Sequence, residues 1–319
     1  MSTEKKVEFS GAAVAPFPVD PVLTAIAVAY RNEKLIADEV LPLVPVGKQN
    51  FKYRVFEAKD SFTVPDTLVG RKGLVSEVEF GYTEKDGSTE GHGLEEAIPK
   101  DDIDNAPEGY DPVARATVST TDLVLLGREV RTANLVFNAA SYGAKNKITL
   151  AGANQFTNPD SDPIKVVLSA LDACIMRPNI MVIGHGAWTA LRTNPKIVKA
   201  AHGNAGDSGT ASRQQVAELF ELDKILVGSG WVNTEAKGQE MAQKRIWGNH
   251  IALIYQNAMP DVNGKVSFGV TAQFGERFVT SGFDSKIGLE GGTRIRVGMR
   301  VRELITANDL GYFIQNAAA

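Results

Sequence analysis

Apolar positions along the chain recur with two different periods. After Pro163, Ile164, Val167, Leu168, Leu171 and Ile175 follow helical spacing; Pro178 stops that helix, and NIMVIG (179–184) reads as a buried strand. Further helices are predicted over 186–193, from 195 to about 201, and over 212–222, the last opened by the capping-box pair Ser212 and Gln215. Strands then take over at KILVGSGWV (224–232), RIWGNHIALIYQN (245–257) and KVSFGVTAQF (265–274), with Asn263-Gly264 turning between the last two. An α/β module thus feeds a β-rich tail.

Asp-Pro marks the start of helical periodicity at Asp20-Pro21, Asp111-Pro112 and Asp162-Pro163, with Asn194-Pro195 as a variant. The side chain accepts from first-turn N–H groups, and proline gives up a donor that has no partner there anyway. The helix that starts at Pro112 has no internal proline as far as about Ala140, roughly 29 residues or about 43 Å. Its face Ala116, Thr120, Leu123, Gly127, Val130, Asn134 and Phe137 is only partly apolar, and Gly127 weakens it by about 1 kcal/mol. Such a weak stripe predicts a surface strut partly covered by something else.

Before this helix, residues 56–81 have strand-like ends and a charged middle carrying Pro65, too long for a tight hairpin. Strands are expected at 51–56 and 74–80. A two-stranded ribbon is marginal in water, so it lies either on its own domain or on another copy of the chain. The tip, 58–72, mixes Lys59, Arg71 and Lys72 with Phe62, Val64 and Leu68, more apolar surface than a free tip leaves in water.

With 319 residues, 43% of them hydrophobic, the chain can build a sizeable core. Its net charge of -4 lacks the basic balance of a dedicated nucleic-acid binder, though a local basic face stays open. A single cysteine, Cys174, rules out an internal disulfide and reads as core filler. The first 18 residues have no apolar h-region and read as an extended arm, and Val22 to Tyr30 is too short to span a bilayer.

Candidate chemistry is sparse. GDSG (206–209) beside His202 superficially resembles a serine-protease signature, but six positions in a small-residue loop cannot supply that geometry. The glycines of AGANQF and GSGW lack a dinucleotide-site setting. His92, His185, His202 and His250 are scattered, with no zinc spacing; His185, between a strand and a helix, reads as a turn or capping histidine. Asp101, Asp102 and Asp104 read as a solvated acidic loop. No catalytic, cofactor or metal site is expected.

One charge array is patterned. In TRIRVGMRVRE (293–303), Arg294, Arg296, Arg300 and Arg302 fall on one strand face, with Ile295, Val297, Met299 and Val301 on the other. Four aligned arginines repel one another, so the face meets solvent or acidic side chains of its own chain, another subunit, or nucleic acid.

An arm with DPVLTAIAVAYRNEKLIADEVLPLVPV, a ribbon NFKYRVFEAKDSFTVPDTLVGRKGLVSEVEF, a helix YDPVARATVSTTDLVLLGREVRTANLVFNAA, an α/β module and an ending TRIRVGMRVRELITANDLGYFIQNA follow in that order. This order resembles tailed-phage major capsid proteins of the Hong Kong 97 type over nearly the whole chain. The resemblance implies an α+β fold with an N-terminal arm (1–46), an E-loop ribbon (47–90), a peripheral domain (91–160) with a spine helix (111–140), an α/β axial domain (161–262), peripheral return strands (263–304) and a final axial strand within 305–319. It implies a structural protein, not an enzyme, that assembles with itself as pentamers and hexamers into an icosahedral shell enclosing double-stranded DNA held by weak, non-specific contact. The implied partners are a scaffolding protein and a portal, with a decoration protein as an optional third, and no membrane; assembly is in the host bacterial cytoplasm and the final place is the virion capsid. Lys59, Phe62, Val64, Leu68, Arg71 and Lys72 are expected at an inter-subunit contact, and Arg294, Arg296, Arg300 and Arg302 on an inter-subunit or charge-paired strand. The helix at Pro21 begins almost at once, which implies a separate scaffolding protein or a segment already removed. No crosslinking residue carries over. Two alternatives stay open: an encapsulin-like compartment that encloses cargo, and a small-molecule enzyme with 47–90 as a lid.

Overall fold

The computed structural model describes residues 20–29, 35–55, 64, 67–69, 71, 73–75, 77, 83–203, 209–235, 240, 242–260 and 266–319. The N-terminal 18 residues, most of the ribbon tip, GDS of GDSG and the Asn263-Gly264 turn lie outside them. In chain order the helices are α1 Pro21–Ala29, α2 Ala37–Val40, α3 Lys100–Asp104, α4 Pro112–Val136, α5 Pro163–Asp172, α6 His185–Thr193, α7 Pro195–His202 and α8 Arg213–Phe220. The strands are β1 Leu43–Pro45, β2 Asn50–Val55, β3 Thr83–Ser88, β4 Glu90–Pro99, β5 Lys147–Thr149, β6 Ile180–Gly184, β7 Lys224–Gly228, β8 Trp231–Asn233, β9 Gln243–Arg245, β10 Ile251–Ile254, β11 Gly269–Gln273, β12 Phe278–Asp284, β13 Gly292–Ile305 and β14 Gly311–Gln315.

The chain divides into two compact units. The first holds α1, residues 93–121 and residues 277–298. There β12 runs antiparallel to the first half of β13, Phe278 opposite Gly298 and Asp284 opposite Gly292. Asp20 accepts from Val22 N (3.0 Å) and Leu23 N (3.1 Å), and Thr24 and Val279 exchange bonds that tie α1 to β12. Asp111 starts α4 in the same way, accepting from Val113 N and Ala114 N.

The second unit is built round a five-stranded sheet in the order β5-β14-β10-β6-β7. β6 and β7 are parallel, while β10 runs antiparallel to both β6 and β14. Every residue of β6 and β10 is buried, because both faces are covered. Met181, Ile183, Ile251 and Leu253 face a core with α5 to α8; Ile180, Val182, Ala252 and Ile254 face one with Val136, Tyr142, Trp247 and Phe313. Truncating Leu171, Leu191 or Met181 to alanine costs about 2–5 kcal/mol. Asp162 and Asn194 cap α5 and α7 as their Asp-Pro and Asn-Pro pairs predict, and the Ser212–Gln215 capping box is complete.

Four expectations need correction. The long helix ends at Val136, not near Ala140, because Asn138 turns the chain into a short 3-10 segment. The run 224–232 is two strands in different sheets, and 245–257 is likewise split into the end of β9 and β10. The break follows from close approach: a Cβ on Gly228 would lie 2.2 Å from the Trp247 ring, and one on Gly184 would lie 1.6 Å from the Gly248 carbonyl oxygen, so the 247–248 segment crosses the strand ends only over glycine. Asp101, Asp102 and Asp104 sit in helix α3, where Asp104 pairs with Lys100 at 2.6 Å. Lastly, α4 buries Thr117, Thr121, Val124, Leu125, Arg128, Glu129, Thr132 and Val136, whereas Leu123 and Asn134 are exposed. Threonine fits this face because its hydroxyl turns back on the helix, Thr117 Oγ1 to Val113 O at 2.9 Å and Thr121 Oγ1 to Thr117 O at 2.6 Å.

Candidate functional site

The ribbon pairs β2 with β3, Phe51 opposite Gly87 and Val55 opposite Thr83. The second strand is therefore the polar TEKDGS, not 74–80; Leu74 and Val75 are 98% and 78% exposed and form no strand. Burial cannot select a register here because both faces meet solvent. The Gly87 position does, since a Cβ there would lie 2.9 Å from the Phe51 ring, which takes up that space instead. Among the described residues no other strand pairs with this ribbon. Of the expected tip contacts, Val64 is 89% and Leu68 86% exposed and Arg71 is exposed; Lys59, Phe62 and Lys72 lie outside the described residues.

The arginine strand is resolved in detail. Ile295, Val297, Met299 and Val301 are buried, as alternation predicts. Opposite them, Arg294 binds Glu95 (2.6 Å) and Asp284 (2.7 Å), Arg296 binds Glu95 (2.6 Å) and Arg302 pairs with Glu90. Arg300 lies over the Phe274 ring, 5.9 Å from its centroid. Strand β4 thus supplies Glu90 and Glu95 and β12 supplies Asp284, and Gly93 lets β4 close on β13, where a Cβ would lie 2.8 Å from the Val297 carbonyl oxygen. Hydrogen bonds from Arg294, then from Arg296, hold the Glu95 carboxyl below the usual range against the opposing effect of burial. The Lys286 N–H and then Arg294 do the same for Asp284.

A polar lock inside the second unit was not anticipated. Glu129, fully buried on α4, accepts from Ile36 N (3.0 Å), Ala37 N (2.8 Å) and Trp247 Nε1 (2.5 Å). Its neighbour Arg128 pairs with Asp38 and donates to Leu41 O (3.1 Å) and Thr271 Oγ1 (3.2 Å). One turn on, Arg131 binds Glu303 of β13 at 3.0 Å. The segment leading into the ribbon is thereby fastened to the long helix. Burial raises the Glu129 carboxyl above its ordinary range despite the three donors. Consecutive charges in a capped helix were the available signal, but nothing in the spacing named Trp247.

No catalytic constellation assembles among the described residues. His250 Nδ1 accepts from Asn316 N at 2.9 Å, and His202 Nε2 lies 3.3 Å from Thr210 O. His185 opens α6, with its imidazole held below the ordinary value by burial first and then by Arg245, Arg213 and Arg192. The depression beside α6, about 370 Å³, is lined by Phe156, Gly186, Thr189, Thr193, Asn194 and Ala318 and offers no titratable side chain of its own. Cys174 is buried and its thiol is pushed up to about 11 by burial. No group of three His, Cys, Asp or Glu among the described residues is placed to hold a metal, and no helix of the described residues is long and apolar enough to cross a membrane.

Comparison with known proteins gives the chain its family. The family model described as Phage major capsid protein E matches residues 137–282. The chain is 52% identical over 305 residues to the major capsid protein of Pseudomonas phage JBD67, covering 96% of this chain and 99% of that one. It is 31% identical over 245 residues to the major capsid protein of Burkholderia phage BcepMu, covering 74% and 76%. Among solved structures, a phage-related protein from Bordetella bronchiseptica RB50 superposes with a TM-score of 0.74 at 26% identity, covering 95% of this chain and 98% of that one.

Proposed function

The chain belongs to the family of phage major capsid proteins and is a shell subunit of the Hong Kong 97 type fold; from that premise we propose how its parts serve the shell. Copies gather as pentamers and hexamers and close into an icosahedral shell around double-stranded DNA, which they hold by weak, non-specific contact. Residues 1–46 act as the arm, 47–90 as the E-loop, 111–140 as the spine helix of the peripheral domain, and 161–262 with the final strand as the axial domain. The role is structural and not enzymatic. A scaffolding protein and a portal are its further partners, with a decoration protein as an optional third, and assembly takes place in the host bacterial cytoplasm.

The observation that carries this reading is the ribbon: β2 and β3 pair only with each other among the described residues, and Val64, Leu68, Leu74 and Val75 stand in solvent on one excursion. Apolar groups so placed mark a surface that another molecule covers. Many weak copies of one such contact close a shell collectively.

Electron microscopy of the purified chain tests the proposal: closed particles are expected, and a monomer at every concentration overturns it. Nucleic acid inside particles recovered from infected cells is the second expectation; particles filled with protein cargo instead would assign the chain to a compartment rather than a genome shell.

A further inference from the structure

β6 and β7 run parallel in register, Ile180 beside Lys224 and Gly184 beside Gly228. Whatever precedes the two strands gathers at one end of the sheet, and whatever follows them gathers at the other, about 16 Å away. The charges at these ends differ in sign. At the leading end stand the exposed carboxylates of Asp172, Glu221 and Asp223. Arg177 sits between Asp172 (3.4 Å) and Glu221 (3.1 Å), and Lys224 is matched by Glu39 at 3.5 Å. Four carboxylates thus meet two cations.

The trailing end is cationic. His185 follows β6 directly, and Arg245 donates to the carbonyl of Ser229, which follows β7, while lying 4.1 Å over the Trp231 ring. Arg213 is the first residue of α8, and the Ala211 N–H bonds the Arg192 carbonyl at 3.0 Å, which brings the last turn of α6 to the start of α8. Helical side chains point back toward the N-terminus, so the Arg192 guanidinium leans toward His185. Among the described residues none of these three arginines forms an ion pair with a carboxylate, and the charges acting on His185 are the three guanidinium groups alone. Like charges brought together this way repel unless a counter-charge arrives from outside.

The same sheet carries that counter-charge at its opposite end. A contact joining two different faces of identical subunits is head-to-tail, the kind that generates rings, whereas a self-complementary face gives only pairs. We propose that the cationic end of this sheet, with Arg192, Arg213 and Arg245, seats against the acidic end, with Asp172, Glu221 and Asp223, of the next copy around a ring. The inference rests on the shell reading above and names the surface by which its rings close.

The test is charge reversal at each end. Arg213→Glu with Arg245→Glu reverses the first; Asp172→Lys with Glu221→Lys reverses the second. Arg213→Glu puts an acid at a helix start, and Asp172→Lys and Glu221→Lys put cations at helix ends, all favourable to the helix dipoles, whereas the loss of the exposed Arg177 pairs and of the Arg245 contacts opposes this, so circular dichroism and a melting curve establish first that each variant folds. Each pair alone is expected to lower the yield of rings and closed particles roughly tenfold or more by sedimentation and electron microscopy, with unchanged circular dichroism. All four substitutions in one chain swap both ends and restore the yield. Mixing the two pair variants restores even-numbered rings, in which copies alternate, but not pentamers.

Normal particles from either pair overturn the inference, as does a folded four-substitution chain that assembles no better than the pairs. Normal shells from the Arg213→Glu, Arg245→Glu chain that retain less DNA would assign the cationic end to nucleic acid instead. Wild-type protein that forms no particles refutes the shell reading itself, so the two failures are distinguishable.

Discussion

Trp247 donates its indole N–H to the Glu129 carboxylate at 2.5 Å, across 118 positions of sequence. The same carboxylate holds the main-chain N–H groups of Ile36 and Ala37, at the start of α2. Glu129→Ala leaves three buried donors without an acceptor and should destabilise the subunit by about 3 kcal/mol or more. Glu129→Gln keeps one acceptor oxygen and should cost less. Urea unfolding of the two variants checks the order; equal stability of Glu129→Ala and wild type would show that the lock contributes nothing.

The pH dependence of stability has two opposed parts. Burial raises the Glu129 carboxyl, so the native state binds that proton more tightly than the unfolded chain; its contribution is full below the ordinary glutamate range and is lost as pH rises through the folded value. Glu95, lowered by Arg294, and Asp284, lowered by the Lys286 N–H and then by Arg294, behave oppositely: their contribution is present above the ordinary carboxylate range and is lost as pH falls through the folded values. Unfolding midpoints measured from about pH 3 to pH 7 should show Glu129→Gln removing a decline on the higher-pH side. Arg294→Ala should remove part of the rise that follows the acid region, and curves parallel to wild type would sink both assignments.

On the arginine strand, Arg296 already has an acidic partner, Glu95, within its own chain. Reversing Arg296 to Glu sets it against Glu95, and reversing Arg300 to Glu removes its contact with the Phe274 ring. Both side chains are exposed, so the double variant should lower the melting temperature of the subunit by only about 2–5 °C. If the face also meets another subunit, closed particles should fall far more steeply than folded subunit. Particles of normal yield and heat resistance would leave the intramolecular pairing as its whole role.

Local signals carried most of the elements. Asp20, Asp111, Asp162, Asn194 and Ser212 announce helix starts because each bonds N–H groups within three residues of itself. The alternation in β13 was equally plain, since Ile295, Val297, Met299 and Val301 are all buried and Arg296, Arg300 and Arg302 exposed. The inward face of α4 was not, because it is made of Thr117, Thr121, Arg128, Glu129 and Thr132, and counting apolar residues passes over threonines that bond back to their own helix and a charged pair whose partners lie far along the chain. β3 was missed for the opposite reason: a strand exposed on both sides carries no burial pattern, and only the fit of Phe51 over Gly87 fixes it.

The ribbon gives the sharpest test of the shell. Phe51 over Gly87 and the Lys52–Glu84 pair at 3.3 Å fix its foot, so β2 and β3 project as one unit from the second unit of the chain. Beyond that foot, Val64, Leu68, Leu74 and Val75 are at least 78% exposed, an arrangement that gains nothing for a lone subunit. Among the described residues the ribbon's strands pair only with each other, so its exposed apolar surface is expected to lie on the spine helix of a neighbouring copy. Replacing residues 58–72 by a short Gly-Ser turn removes Lys59, Phe62, Val64, Leu68, Arg71 and Lys72 together and touches neither the foot nor either core. The monomer should keep its helix content and melting behaviour, while closed particles disappear. Shells of normal size and stability from that deletion would show that the ribbon is not a subunit contact and would return it to a role within its own chain.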